Sequence, residues 1–312
     1  MKKTAFLFPG QGSQSVGMGE DLFRDFVCVR ELFDMASDIS RIDLARMCFK
    51  GPMEDLTQTV NLQPAVTAIN LACLAAIHRE HPEPDAAAGH SLGEYAALHA
   101  AGVISAADTF RLVHKRGELM HRESTRAAGA MHAILKLDID SVQEMVNEGQ
   151  RQGIVSVANH NTEQQIVITG QPDAVEFVSS LATGRGGRSI PLKVSGAWHS
   201  ELIRGAEKEF QTALTDIEFH SPKRHVVFNV TAEDESDPEQ IRTLMVRQLC
   251  SPVKWFDSMR HLVEAEVETF VEVGPGKVLT GMLRRILPRD YPSRVYNVYD
   301  MQTLETFFHE VL

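Results

Sequence analysis

Ser91 lies in Gly89-His90-Ser91-Leu92-Gly93, a G-x-S-x-G pentapeptide between the short run Ala86-Ala87-Ala88 and a helix-forming stretch that begins at Leu92. A serine on a sharp strand-to-helix turn is the arrangement of a nucleophile elbow. Glycines on both sides let the chain turn tightly. The following helix directs its N-terminal N–H groups and dipole at negative charge developing on a reacting centre. The same five residues also describe a tight turn with a helix-capping serine. The strand before and the helix after favour the elbow, and with it acyl transfer or hydrolysis.

A serine hydroxyl attacks only when a base takes its proton. Thirteen histidines compete for that role. His78, His81 and His121 fall on polar helix faces or in loops and read as solvated. His199 follows Leu192-Lys193-Val194 through Ser195-Gly196-Ala197-Trp198 and precedes a predicted helix, so it sits in a loop at a strand end. Spacing alone leaves it one candidate among several. Arg116 is the other unusual residue. On a helix predicted from about 105 to 122, Phe110, Val113, Gly117 and Met120 form an apolar stripe, and Arg116 stands at its centre. An inward-facing arginine costs several kcal/mol unless an anion meets it. That anion is either a structural Asp or Glu or a substrate carboxylate held by the two-pronged guanidinium.

The elements that must position these residues follow an α/β pattern, in which short apolar runs alternate with longer helical stretches. Ala5 to Phe8 reads as a first strand ending at Pro9-Gly10-Gln11-Gly12, and Leu62 to His81 as a long, well-buried helix. Ala86 to Ala88 is a poor strand by propensity, made plausible by the Gly89 turn after it. The middle of the chain predicts strand, helix, two strands, helix and strand. They run over Ala130 to Lys136, Ile139 to Gln150, Ile154 to Asn159, Gln165 to Thr169, Ala174 to Ala182 and Ser189 to Leu192. That βαββαβ order is ferredoxin-like. We therefore expect an inserted subdomain at 125–193 and a large domain made of 1–124 and 194–312. The large domain resumes with a helix after His199 and a strand at Val226 to Asn229. Helices at 238–250 and 255–265 follow, then a strand Thr269 to Val273 that ends in Gly274-Pro275-Gly276 before another helix.

Composition narrows the function. Of 312 residues 43% are hydrophobic and 23% charged, as in a packed globular protein, and the formal net charge of −11 argues against general nucleic-acid binding. Four scattered cysteines, without a C-x-x-C pair, suit reduced thiols. No run approaches ~18 consecutive apolar residues, and the apolar start Ala5 to Phe8 breaks at Pro9-Gly10. The expectation is a cytoplasmic protein with no membrane or nucleic-acid partner and no metal site.

Several further segments fall into one pattern with the elbow. They are Phe8-Pro9-Gly10-Gln11-Gly12-Ser13-Gln14, the extension Glu94-Tyr95, Arg116-Gly117, Gly129-Ala130-Met131 and Asn159-His160-Asn161. Trp198-His199-Ser200, Val246-Arg247-Gln248-Leu249 and Glu272-Val273-Gly274-Pro275-Gly276-Lys277 complete it. With these motifs in this order, the chain resembles bacterial malonyl-coenzyme A:acyl carrier protein transacylases over nearly its whole length. The resemblance implies an α/β-hydrolase-like large domain with a ferredoxin-like insert, and [acyl-carrier-protein] S-malonyltransferase activity. It implies Ser91 as the acylated nucleophile and His199 as its base, oriented by a main-chain carbonyl at Gln248 instead of a carboxylate. It further implies an oxyanion hole from the N–H groups of Gln11 and Leu92, Arg116 on the malonyl carboxylate, and Asn161 near the cleft. Malonyl-coenzyme A would be the substrate and an acyl carrier protein the partner, bringing its own phosphopantetheine. No further cofactor is implied, and a monomer is expected.

Two features depart from the common family pattern. Trp198 stands where relatives often have Phe or Ser, and Gly196-Ala197-Trp198-His199 is similar to the malonyl-selective version of that stretch. The Gly-Ala segment also resembles stand-alone polyketide acyltransferases, which leaves fatty acid and polyketide pathways both open. A serine esterase or thioesterase shares the elbow, but would set an Asp or Glu before the histidine in chain order, and none is identifiable. For docking an acidic carrier protein, Arg185, Arg188, Lys193, Lys115 and Arg122 are the candidate cations.

Overall fold

The computed structural model describes residues 3–80 and 83–311. Its strands are β1 (Lys3–Phe8), β2 (Ala86–Gly89), β3 (Ala130–Leu135), β4 (Val155–Thr162), β5 (Gln165–Gly170), β6 (Arg188–Pro191), β7 (His225–Val227), β8 (Val267–Val273) and β9 (Arg294–Val298). Five form a parallel sheet in the order β7-β2-β1-β8-β9, and four form a separate antiparallel sheet in the order β4-β5-β3-β6.

A central parallel strand is covered on both faces, so its side chains must all be apolar and must fit between two layers. The alanines of β2 do this by being small. Ala87 faces the larger core cluster, while Ala86 and Ala88 face the cluster built around Trp255 and Phe270. Propensity is thus overridden by packing. The helix Thr59–Ile77 lies in that larger cluster with nearly every side chain buried. It is long and apolar enough to cross a membrane, yet here it is enclosed by the fold. It starts three residues before the expected position and ends at Ile77; the expected end at His81 lies outside the described residues.

The second sheet has the βαββαβ order, with the helices Ile139–Gly149 and Pro172–Gly184 burying Val142, Val146, Ala174 and Val178 against its strands in a core of their own. Its strand order is that of a ferredoxin-like unit. Two main-chain hydrogen bonds tie β4 to the larger part: His160 N–H to the Val253 carbonyl at 2.9 Å, and Val253 N–H to the Ala158 carbonyl at 2.8 Å.

The segment after His199 begins as a tighter 3-10 turn, Glu201–Ala206, before the α-helix Glu207–Thr215. The edge strand β9 and the helix Met301–Val311 were not evident from sequence, because most β9 residues are only half-buried and carry a weak apolar signal.

The parallel sheet sets the site by register. Phe8 of β1 pairs with Gly89 of β2, so Pro9-Gly10-Gln11 and His90-Ser91 leave the sheet side by side at its carboxyl edge. Ligands in open α/β sheets bind at that edge. Where the chains come closest, Gly89 and Gly93 leave no room for a side chain. A Cβ at Gly93 would lie 1.9 Å from the Phe8 carbonyl oxygen, and one at Gly89 would lie 2.0 Å from the Gly93 carbonyl carbon. Gly93→Ala should therefore destabilise the fold by about 2–4 kcal/mol. Urea unfolding should show a lower midpoint at unchanged slope.

Candidate active site

Ser91 is held at φ 51°, in the left-handed region that non-glycine residues avoid. Such a backbone persists only when its surroundings over-determine it. Here its peptide groups are gripped from both sides. The Ser91 N–H donates to Asn229 Oδ1 at 2.7 Å, and the Ser91 carbonyl accepts from Gln248 Nε2 at 2.9 Å. Asn229 is itself anchored, its Nδ2 donating to the Gly89 carbonyl at 2.6 Å. The helix Gly93–Ala100 starts directly after the elbow, with Leu92 at its N-cap.

His199 also has a left-handed backbone, φ 59°, and is buried. Its Nε2 lies 2.8 Å from Ser91 Oγ. Its Nδ1 faces two carbonyl oxygens, those of Gln248 at 3.0 Å and Ser251 at 3.1 Å. A carbonyl can only accept, so Nδ1 carries the proton and Nε2 presents a lone pair to the serine hydroxyl. That is the tautomer a general base needs. Burial, helped by the Arg116 and His90 charges, pushes the His199 pKa down to about 3, against the two carbonyl hydrogen bonds.

Arg116 is 1% exposed on the helix Ala106–Arg126. Its Nη2 donates to Ser91 Oγ and to Gln248 Oε1, each at 3.2 Å. No carboxylate among the described residues forms an ion pair with it. The buried Glu94 carboxylate reaches it through the Gln248 amide, whose Nε2 donates to Glu94 Oε2. Burial lowers the Arg116 pKa, opposed by Tyr95 and Glu94, and burial pushes Glu94 up to about 7. The alternative of a structural Asp or Glu in direct contact is therefore not what the fold adopts.

Ser91, His199, Arg116, Gln11, Leu92 and Trp198 line one cavity of about 100 Å³. Among the described residues, the N–H groups of Gln11 and Leu92 are engaged by no main-chain acceptor. Trp198 is buried, and its indole N–H has no hydrogen-bond partner among the described residues. A second cavity of about 300 Å³ shares Gln11, His90, Asn159, Leu192 and Val194 with the first and extends to Asn161, Lys193 and Met282. Asn161, on β4, meets His90 Nε2 through Oδ1 at 2.8 Å. Larger hollows of about 380 and 340 Å³ open at the opposite end of the parallel sheet beside His225 and Asp234, away from the serine.

All eight residues singled out in the sequence thus meet in or beside one site. Sequence reasoning missed Asn229, Ser251, Glu94 and the side-chain role of Gln248. Asn229 had a usable signal, since it ends the apolar run after β7 at the same sheet edge as Ser91. Three of the five candidate docking cations are already engaged by acidic neighbours: Arg122 by Glu123 and Glu209, Arg185 by Glu144, and Lys115 by Glu118.

Residues 5–303 match the family model described as the acyl transferase domain. The chain belongs to that family. Among curated relatives, the malonyl CoA-acyl carrier protein transacylase of Bacillus subtilis (strain 168) is 39% identical over 307 residues, covering 98% of this chain and 96% of the relative. The Haemophilus influenzae protein of the same name is 38% identical over 310 residues, covering 98% and 99%. Among solved structures, an acyl carrier protein S-malonyltransferase from Vibrio cholerae has a TM-score of 0.92 at 39% identity, covering 98% and 99% of the two chains. A malonyl-transacylase solved in complex with its type II PKS acyl-carrier protein has a TM-score of 0.94 at 38% identity, covering 99% of each. These acyl transferase structures share the α/β architecture described above, as the sequence led us to expect.

The low pKa of His199 carries a consequence of definite sign. A depressed pKa keeps the imidazole neutral above about 3, so it should stay neutral and base-competent through pH 5–8. In an NMR titration of the histidine ring carbons, the His199 signals should hold the neutral-imidazole position down to pH 5. A midpoint near the ordinary histidine value would contradict this.

Proposed function

We propose that this chain moves a malonyl group from malonyl-coenzyme A, through a malonyl-Ser91 ester, to the phosphopantetheine thiol of an acyl carrier protein. The observation that carries this reading is the shared cavity. A serine–histidine pair and a buried guanidinium with no ion-pair partner among the described residues line a space of about 100 Å³, suited to a short acyl group ending in a carboxylate. The names of the Bacillus, Haemophilus and Vibrio relatives support the same substrate, and the solved complex supports the same partner.

The steps follow from the roles of the groups. As Ser91 Oγ bonds to the thioester carbonyl carbon, its proton passes to His199 Nε2. The carbonyl oxygen takes up negative charge and is met by the N–H groups of Gln11 and Leu92. Collapse breaks the carbon–sulfur bond, and coenzyme A leaves with the proton from the imidazolium. The carrier thiol then gives its proton to His199 and attacks the ester, and Ser91 recovers its hydrogen. A base of this kind contributes about 10²–10⁴-fold and one oxyanion donor about 10²–10³-fold. These steps call on no metal or prosthetic group, since both thiols arrive with the substrates. The outer cavity, between Asn161 and Met282, is the route we assign to the pantetheine chain.

A serine esterase would orient its histidine with a carboxylate. The paired carbonyls of Gln248 and Ser251 favour the transferase reading instead.

Intact-mass spectrometry after mixing with malonyl-coenzyme A should show a malonyl adduct that Ser91→Ala lacks and that holo-carrier protein discharges. Free coenzyme A without an adduct would point to hydrolysis instead. Arg116→Ala should shift the malonyl-to-acetyl preference toward acetyl by about 10²-fold or more, because sites built around a buried polar group discriminate on that scale. Competition assays with the two thioesters measure it. Trp198→Ala should enlarge the inner cavity, and a methylmalonyl adduct should form on a timescale where the parent protein forms none.

A further inference from the structure

Glu94 is 1% exposed, three residues beyond the nucleophile, and the steps above give it no task. Its two oxygens divide between two partners. Oε1 accepts the Asn229 main-chain N–H at 2.6 Å, and Oε2 accepts from Gln248 Nε2. Those are the residues that grip Ser91, Asn229 at its N–H and Gln248 at its carbonyl. Gln248 also turns its side-chain oxygen to Arg116 and its main-chain oxygen to His199 Nδ1.

The Gln248 amide is asymmetric, and its orientation matters. Because Nε2 donates to Glu94 and to the Ser91 carbonyl, Oε1 is the atom left facing the guanidinium. The reverse orientation would point an NH₂ group at a cation. A carboxylate accepts on both oxygens and so permits only the first arrangement. A glutamine at this position would use its oxygen for the Asn229 N–H and turn its NH₂ toward that of Gln248. Two donors would then oppose each other in a buried site, where an unmade hydrogen bond is costly.

We propose that Glu94 is a positioning residue for acyl transfer: its carboxylate orients the Gln248 amide and the Asn229 main chain, and through them the Ser91 elbow and the Arg116 guanidinium. The inference rests on the malonyl-transfer reading. The malonyl adduct on the unaltered protein tests that reading separately.

The test is single-turnover acylation by malonyl-coenzyme A on the full chain, comparing Glu94→Gln, Gln248→Ala and the double variant, with thermal melting to verify folding. Glu94→Gln should lower the acylation rate constant by about 10–100-fold, the scale on which a displacement of about 1 Å acts. The half-saturating thioester concentration should change by less than about threefold, because thioester binding is left intact. Adding Glu94→Gln to Gln248→Ala should cost little more than Gln248→Ala alone, as expected for residues acting through one another. A folded Glu94→Gln protein acylating at the parent rate would overturn the proposal, as would losses that multiply independently or fall on half-saturation alone. If Glu94→Gln does not fold, Gln248→Ala decides: a loss of the same scale supports the relay, and the parent rate refutes it.

Discussion

Arg116 is a positive charge almost wholly withdrawn from water, and no carboxylate among the described residues touches it. Burying an unpaired ion costs several kcal/mol, so the surroundings must offset that cost in other ways. They do so with hydrogen bonds from Nη2 to Ser91 Oγ and Gln248 Oε1, and with the Glu94 charge one amide away. The guanidinium is thereby held in position while its strongest possible partner is withheld. Under the malonyl-transfer proposal, a substrate carboxylate entering the cavity would complete the pairing.

The second constraint is the close approach of β1 and β2. Their register brings two loops together at one edge of the sheet, and glycines at 89 and 93 are required because a Cβ at either would strike main-chain atoms. From that edge the chain turns into the left-handed backbone of Ser91, whose peptide is tied to Asn229 and Gln248. His199 arrives from a distant part of the chain in the same strained conformation. The carbonyls of Gln248 and Ser251 select its tautomer without adding a carboxylate beside Ser91.

The antiparallel sheet contributes through its rim. Asn161 at the end of β4 fixes His90, the neighbour of Ser91, and the paired main chains of β4 and Val253 hold the segment just after the His199 acceptors. The smaller sheet and the loops that carry Ser91 and the His199 acceptors are therefore joined by hydrogen bonds near the site. One face of the sheet has its own core around Val142, Val146 and Ile166, while Met131, Ala133, Ala158 and Val167 on its strands join the larger core.

Local chemistry and periodicity made much of this legible beforehand. The elbow, the inward place of Arg116 in its stripe and the βαββαβ order depend on neighbours within a few residues, and local sequence reports such features well. Ser91 and Arg116 stood out for that reason. His199 was one histidine among thirteen by spacing, and only the wider resemblance raised it. Ser251 and Glu94 carried no local mark, because a residue that makes one buried hydrogen bond looks in sequence like any polar residue, and Asn229 offered only its place at the end of the apolar run after β7. The sequence by itself determined which residue types were available, where the chain turns sharply and which helix face is buried. Tertiary structure alone decided that His199, Asn229 and Gln248 converge on the Ser91–Glu94 segment from three separate stretches. The reason is physical: hydrogen bonds between distant segments depend on distance and angle, and those are set by strand register and packing, not by chain spacing.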